Sequence, residues 1–193
     1  VHGTRAVQAG DLVAVFGDGS AGLAVTQAAH VRGAARVVTI DLYDNRLALA
    51  KQLGVDFTIN PRRDDPLRAV PALLGAQPDV VIDVVGIPSV ARQCIELVRN
   101  EGNVTIFGTY HVEHTVNVNL LQWEIKALSL NMANEGSPQT AAAAMRVAER
   151  LLAAGRLSTK PYITHVLPFH AVPEGLALLA TSPLLVPEAE MPA

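Results

Sequence analysis

Residues 12–41 read Leu12-Val-Ala-Val-Phe-Gly17-Asp-Gly19-Ser-Ala-Gly22-Leu-Ala-Val-Thr-Gln-Ala-Ala-His-Val-Arg-Gly-Ala-Ala-Arg36-Val-Val-Thr-Ile-Asp41. The apolar run Leu12–Phe16 is dense in β-formers, the pattern of a strand covered on both faces by helices. Glycines follow at once. Gly17 permits a tight turn, Gly19 lets a backbone approach a diphosphate, and Gly22 lets the next helix lie close against the first strand. At that helix's N-terminus the N–H groups of Ser20, Ala21 and their neighbours point outward, and the helix dipole favours negative charge. A second strand, Arg36–Ile40, ends at Asp41, 19 positions after Gly22, the offset at which an acid meets the adenine ribose hydroxyls. Strand, glycine turn, helix and spaced acid together make a dinucleotide-binding fingerprint, which a bare glycine motif would not.

Asp41 also bears on which dinucleotide fits. Its carboxylate accepts from the 2′ and 3′ hydroxyls but repels a 2′-phosphate, so NAD is favoured over NADP. Arg46 either offers a cation near the same ribose or stands as a solvated surface arginine.

Composition sets bounds on the rest. Half of the 193 residues are hydrophobic, enough for a large core. Fifteen Lys and Arg against eighteen Asp and Glu leave a formal charge of −3, with little aromatic content, so nucleic acid is not an expected partner. The single cysteine, Cys94, sits in an amphipathic pattern and reads as a buried structural thiol in a reducing cytoplasm. No apolar stretch approaches membrane-spanning length, and neither a signal peptide nor an initiator methionine is present. Residue 1 therefore reads as a cut inside a longer chain.

Beyond Asp41 helix-like and strand-like segments keep alternating, as a doubly wound α/β fold with a parallel six-stranded sheet and helices on both faces requires. The expected elements are a helix over 46–53, a strand over 57–59, a helix over 66–74 kinked or shortened by Pro71, a strand over 80–85, a helix over 90–98 capped by Ser89, and strands over 104–107 and 128–132. An alanine-rich helix over 138–154 is stopped by Gly155, an isolated extended segment covers 162–167, and a short helix covers 173–180. The proline-rich tail from 182 to 193 is expected to be loosely ordered.

Several stretches together make the chain resemble the coenzyme-binding half of the medium-chain dehydrogenases, the zinc-type alcohol dehydrogenase superfamily. They are Ala9-Gly10-Asp11, Gly17–Leu23, Gly33–Val38, Ala50–Asp56 with Ile59-Asn60, Asp79–Gly86, Ala154–Leu157 and Ile163-Thr164-His165. The resemblance implies a Rossmann domain over 1–157, and a return segment over 158–193 that belongs to, or packs on, a catalytic domain preceding this chain. It implies hydride transfer between a nicotinamide and an alcohol or carbonyl carbon.

On the matching motifs, Gly17, Gly19, Ser20, Ala21 and Gly22 would cradle the diphosphate, and Asp41 and Arg46 would hold the adenine ribose. Val85, Gly86 and Ile87 would line the cofactor, Phe107, Gly108 and Thr109 would meet the nicotinamide, and Asn131 could reach its carboxamide. Ser20 stands where family members often carry proline. Asp18 adds a carboxylate to an anion-binding loop and is expected to point to solvent; facing the diphosphate, it would weaken cofactor binding.

The family's zinc ligands lie in the preceding domain, so zinc is expected only there. His111 and His114 have an H-x-x-H spacing but no third ligand nearby, and His165 and His170 read as strand and loop residues. No catalytic residue is assigned. The family also implies a homodimer or higher oligomer joined through the sixth strand, over 116–132. Ile163, Val166, Leu167, Leu176 and Leu179 would form an exposed apolar patch unless covered. Two other readings stay open: a non-catalytic NAD(H)-binding module or subunit, and a methyltransferase using S-adenosylmethionine, against which the six-strand pattern argues.

Overall fold

A computed structural model of the chain describes residues 2–111, 113–133 and 137–180. It divides into two units, Val1–Ser158 and Thr159–Ala193.

The first unit is built on six parallel strands, β1 (Leu12–Phe16), β2 (Arg36–Ile40), β3 (Phe57–Ile59), β4 (Val80–Asp83), β5 (Asn103–Ile106) and β6 (Ser129–Met132), in the order β3-β2-β1-β4-β5-β6. Parallel neighbours need crossovers, supplied by α1 (Ser20–Val31), α2 (Asp44–Gln52), α3 (Pro66–Leu74), α4 (Pro88–Leu97) and α5 (Leu120–Lys126). The long α6 (Pro138–Ala153) follows β6. The doubly wound α/β expectation holds. The sheet reverses its direction of winding between β1 and β4, and the strands' C-terminal ends there form the crevice in which such folds take ligands.

Strand alternation divides the core into two layers. Val13, Val15, Val37, Val80 and Ile82 pack with Val25 and Ala29 of α1 on one face. Ala14, Phe16, Val38, Ile40, Val81 and Val104 pack with Val70 and Leu74 of α3 and with Ala91, Cys94 and Ile95 of α4 on the other. Both faces of the central strands are dry, which explains their unbroken apolar sequences. Each such valine or isoleucine contributes ~1.5–3 kcal/mol by leaving water. Cys94 is fully buried, and burial pushes its thiol well above the usual range.

Several boundaries differ from the sequence reading. Pro71 neither ends nor shortens α3. It removes the N–H that would reach Leu67, but Asp65 caps the helix by accepting from Leu67 N–H at 3.0 Å, and the chain leaves through Gly75. Ser89 is not the cap of α4; Ile87 is, and Pro88 opens the helix, where a missing N–H costs nothing. β4 stops at Asp83, two residues short, because Val85 and Gly86 turn their N–H groups onto the Asp83 carboxylate. The region 116–132 is not one strand: it holds α5 as well as β6, and β6 is the exposed edge of the sheet.

In the second unit Lys160–Tyr162 and Phe169–Ala171 are short 3₁₀ turns and α7 spans Val172–Ala180. Tyr162 therefore closes a turn and does not begin an extended segment, since Pro161 fixes a backbone angle suited to the turn. The proline-rich stretch 182–193 lies outside the described residues.

Candidate nucleotide site

The glycine turn bridges the end of β1 and the start of α1. Gly17 takes φ +97°, a conformation open to glycine, and its N–H donates to Ile40 O of β2 at 2.8 Å. A Cβ on Gly22 would overlap the Gly17 carbonyl. The third glycine thus allows α1 to close onto the turn itself, a tighter contact than the helix-to-strand approach expected. Gly19 is the N-cap residue of α1 and supplies no side-chain cap. Leu23 is the first residue of the helix whose N–H returns to a backbone carbonyl, that of Gly19 at 2.9 Å. Ser20, Ala21 and Gly22 therefore present open N–H groups at the positive end of a 12-residue helix.

Two further loops meet this turn at the same end of the sheet. A Cβ built on Gly17 would stand 3.0 Å from Val85 Cγ2, so the β1 and β4 loops are in contact. Gly86, at φ +82°, lies so close to the β5 loop that an added Cβ would come 2.7 Å from Thr109 N, and one on Gly108 would overlap the Gly86 backbone. Gly17, Val85, Gly86, Gly108 and Thr109 thus form a continuous floor, with Ile87 next in line. Phe107 is partly exposed at its rim, with its ring beside Gly3.

Asp83 ties two of these loops together, a role the sequence reading did not assign to it. Its carboxylate accepts from Val85 N–H at 2.8 Å, Gly86 N–H at 3.1 Å and Tyr110 Oη–H at 2.6 Å, while its carbonyl accepts from Phe107 and Gly108 N–H. Burial raises its pKa, against the lowering effect of those donors; burial and the neighbouring carboxylate also push the Tyr110 phenol up. An acid ending an apolar strand was the available signal, since a buried carboxylate needs donors.

Asp41 stands after β2 as expected and is nearly buried. Its Oδ2 accepts from Asp18 N–H at 2.7 Å and pairs with Arg46 at 3.4 Å, and its Oδ1 accepts from Tyr43 N–H at 2.9 Å. A carboxylate has about four lone-pair sites, so capacity for a further donor remains. Arg46 is not free in solvent: besides that pairing its guanidinium lies 4.8 Å from the centre of the Tyr43 ring.

Asp18 contradicts the expectation of a solvated side chain. It is fully buried, its Oδ1 accepts from Thr39 Oγ1 at 2.6 Å, and its Oδ2 has no partner among the described residues. Burial pushes its pKa up to about 7; the Thr39 hydrogen bond opposes this, Asp41 adds to it and Arg46 opposes it. The reason is local: the turn's backbone is drawn toward β2 by the Asp18 N–H to Asp41 bond, which carries the side chain inward against Thr39.

Asn131 is not brought to the floor. Its Nδ2 donates to Oδ1 of Asn103, the first residue of β5, at 3.3 Å. His114 is exposed and sits 2.6 Å from Tyr110 O. No group of three or more His, Cys, Asp or Glu able to hold a metal exists among the described residues, which therefore offer no donor set for a zinc ion.

A parallel sheet of this order with a glycine turn at its switch point defines the class as a nucleotide-binding type of α/β fold. The chain belongs to the zinc-binding dehydrogenase family, whose model matches residues 21–150. It is 31% identical over 173 residues to the L-threonine 3-dehydrogenase of Bacillus subtilis (strain 168), covering 89% of this chain and 48% of that protein. It is 32% identical over 166 residues to the sorbitol dehydrogenase of Gallus gallus, covering 84% and 44%. Its fold superposes on the alcohol dehydrogenase TADH from Thermus sp. ATN1 with a TM-score of 0.82 at 29% identity, covering 90% of this chain and 49% of that one. The chain thus spans about half the length of the relatives it matches, and what it matches is their coenzyme-binding half.

Proposed function

We propose that the chain is the coenzyme-binding half of an NAD-dependent oxidoreductase of the alcohol or polyol dehydrogenase type. The observation that carries this reading is the Gly17–Gly22 turn, where α1 opens with uncapped N–H groups beside the Asp41 carboxylate. The open N–H groups of Ser20, Ala21 and Gly22 neutralise the diphosphate. Asp41, held in orientation by Tyr43 N–H and Arg46, accepts from the adenine ribose hydroxyls. Val85, Gly86 and Ile87 line the middle of the cofactor, and the backbone of Phe107, Gly108 and Thr109 meets the nicotinamide. Asp83 keeps these last two loops at one spacing. A bound nicotinamide would supply the hydride acceptor for an alcohol or the donor for a carbonyl carbon.

Substrate contacts, and zinc where the whole enzyme uses it, belong in this reading to a catalytic domain outside these residues. The segment from residue 158 to 180 packs on that domain; Ile163, Val166, Phe169 and Leu176 are exposed apolar side chains for it to cover. A buried free thiol at Cys94 suits a reducing cytoplasm, and no helix among the described residues is long and apolar enough to cross a membrane.

Isothermal titration of the chain with NAD and with NADP, repeated on Asp41→Ala, tests the reading. NAD should bind at least about tenfold tighter, ~1.4 kcal/mol, and the substitution should remove that preference. Equal or tighter binding of NADP by the unsubstituted chain would contradict it. Association through β6 is part of the proposal. The edge strand exposes Leu130 and Met132 beside an apolar cleft of about 430 Å³. Sedimentation should therefore give a dimer that Met132→Arg dissociates, and a monomer at tens of micromolar would refute the β6 interface.

A further inference from the structure

We propose that Asp18 binds a proton when the dinucleotide binds, so that the coenzyme's diphosphate is received beside a neutral acid and not beside a second carboxylate. This rests on the coenzyme reading above.

The geometry is that of an acid placed where an ionised one is poorly accommodated. Asp18 is enclosed by the β1–α1 turn, by β2 and by α2. From β2 it meets the Thr39 hydroxyl at 2.6 Å, and from the end of β2 the Asp41 carboxylate, which accepts the Asp18 N–H at 2.7 Å. From α2 the facing charge is Arg46, already committed to Asp41 at 3.4 Å. α1 has no acidic residue in its first turn and presents only its peptide N–H groups. β4 places Asp83 opposite Phe16 in register, with its carboxylate taken up by Tyr110 and the N–H groups of Val85 and Gly86. No cation is therefore dedicated to Asp18, and its Oδ2 is buried without a partner. Gly22, whose open N–H would meet the diphosphate, lies alongside: a Cβ there would be 3.7 Å from Asp18 Oδ1.

The free chain holds this acid half-ionised near pH 7. An anion arriving at the N-terminus of α1 places like charge next to it, which disfavours the ionised form. Its pKa then rises further in the complex, and between the free and bound values each binding event takes up as much as one proton. Below about pH 7 both states are already protonated and affinity is flat. Above it, affinity falls by up to about tenfold per pH unit until the bound-state pKa is passed.

The test is isothermal titration of the 193-residue chain with NAD from pH 6 to 8.5, in phosphate and in Tris. The two buffers' different ionisation heats report the number of protons exchanged. Expected are uptake approaching one proton near pH 8 in the unsubstituted chain, and none in Asp18→Asn, whose NAD affinity becomes independent of pH. NAD binding without proton uptake in the unsubstituted chain, or the same uptake in Asp18→Asn, overturns the proposal while leaving the coenzyme reading standing. Failure to bind NAD at any pH removes both. A carbon-13 titration of the Asp18 carboxyl in the free chain is a readout that needs no ligand. A midpoint near neutrality supports the proposal, and one below pH 5 overturns it.

Discussion

At the β1–α1 turn and the end of β2 the chain buries two carboxylates, Asp18 and Asp41; Asp41 accepts the Asp18 N–H, Asp18 accepts the Thr39 hydroxyl, and only Asp41 has an arginine. That asymmetry has a consequence for stability that needs no ligand. The folded chain holds the Asp18 proton up to about pH 7, whereas an unfolded chain loses it near the ordinary aspartate value of 3.8. Over that window the native state binds more protons, so stability falls as pH rises from about 4 to about 7 and levels off above. The total is on the order of 4 kcal/mol, and it is present as lost stability at neutral and alkaline pH. Asp18→Asn should unfold in urea at the same midpoint as the parent near pH 4 and at a clearly higher one at pH 8. Parallel midpoints at both pH values would contradict the burial of an acid with no cation of its own. Asp41 was legible in the sequence, because its distance from the glycines is fixed by one helix and one strand. The environment of Asp18 was not: a charged residue in a glycine loop reads as solvated, and only the folded chain shows the Thr39 hydroxyl reaching it from β2.

Strands β1, β2 and β3 and the run of helix α3 follow the sequence reading closely because continuous apolar runs and glycine stops mark them. The misread boundaries share one cause. At Val85–Gly86 the backbone N–H groups turn back onto the Asp83 carboxylate, at Ser89 a proline at the first helical position opens the helix, and local periodicity carries neither. The same holds for the meeting of the β4 and β5 loops. Gly86 excludes a side chain because the Thr109 and Gly108 backbone occupies the space, and Gly108 excludes one because the Gly86 backbone does. Gly108→Ala should therefore force the two loops apart and weaken NAD binding by tenfold or more, with the loss in affinity exceeding any change in thermal midpoint. A substitution that leaves affinity intact would show that the loops are not the cofactor's floor. Lys126 is a comparable long-range tie: at the end of α5 its ammonium donates to the carbonyls of Ile95, Glu96 and Val98, closing the C-terminus of α4 with positive charge.

Across the whole chain the sheet order could be read from the alternation of elements, and the cofactor crevice from its first helix, because both follow from the geometry of parallel crossovers. Substrate recognition could not be read at all: the sequence assigns no catalytic side chain, and no group of three or more His, Cys, Asp or Glu able to hold a metal stands among the described residues. The proposed function requires that a dinucleotide lie across the N-terminus of α1 with its adenine ribose at Asp41. The most direct measurement is an amide NMR titration of the isotopically labelled chain with NAD. Progressive, saturable shifts of the Ser20, Ala21 and Gly22 N–H signals, accompanied by Asp41 and Gly108 and absent from α6, are the predicted result. Saturable binding that leaves the Gly17–Gly22 amides unmoved, or a folded chain that shows no shifts at millimolar NAD, would contradict it.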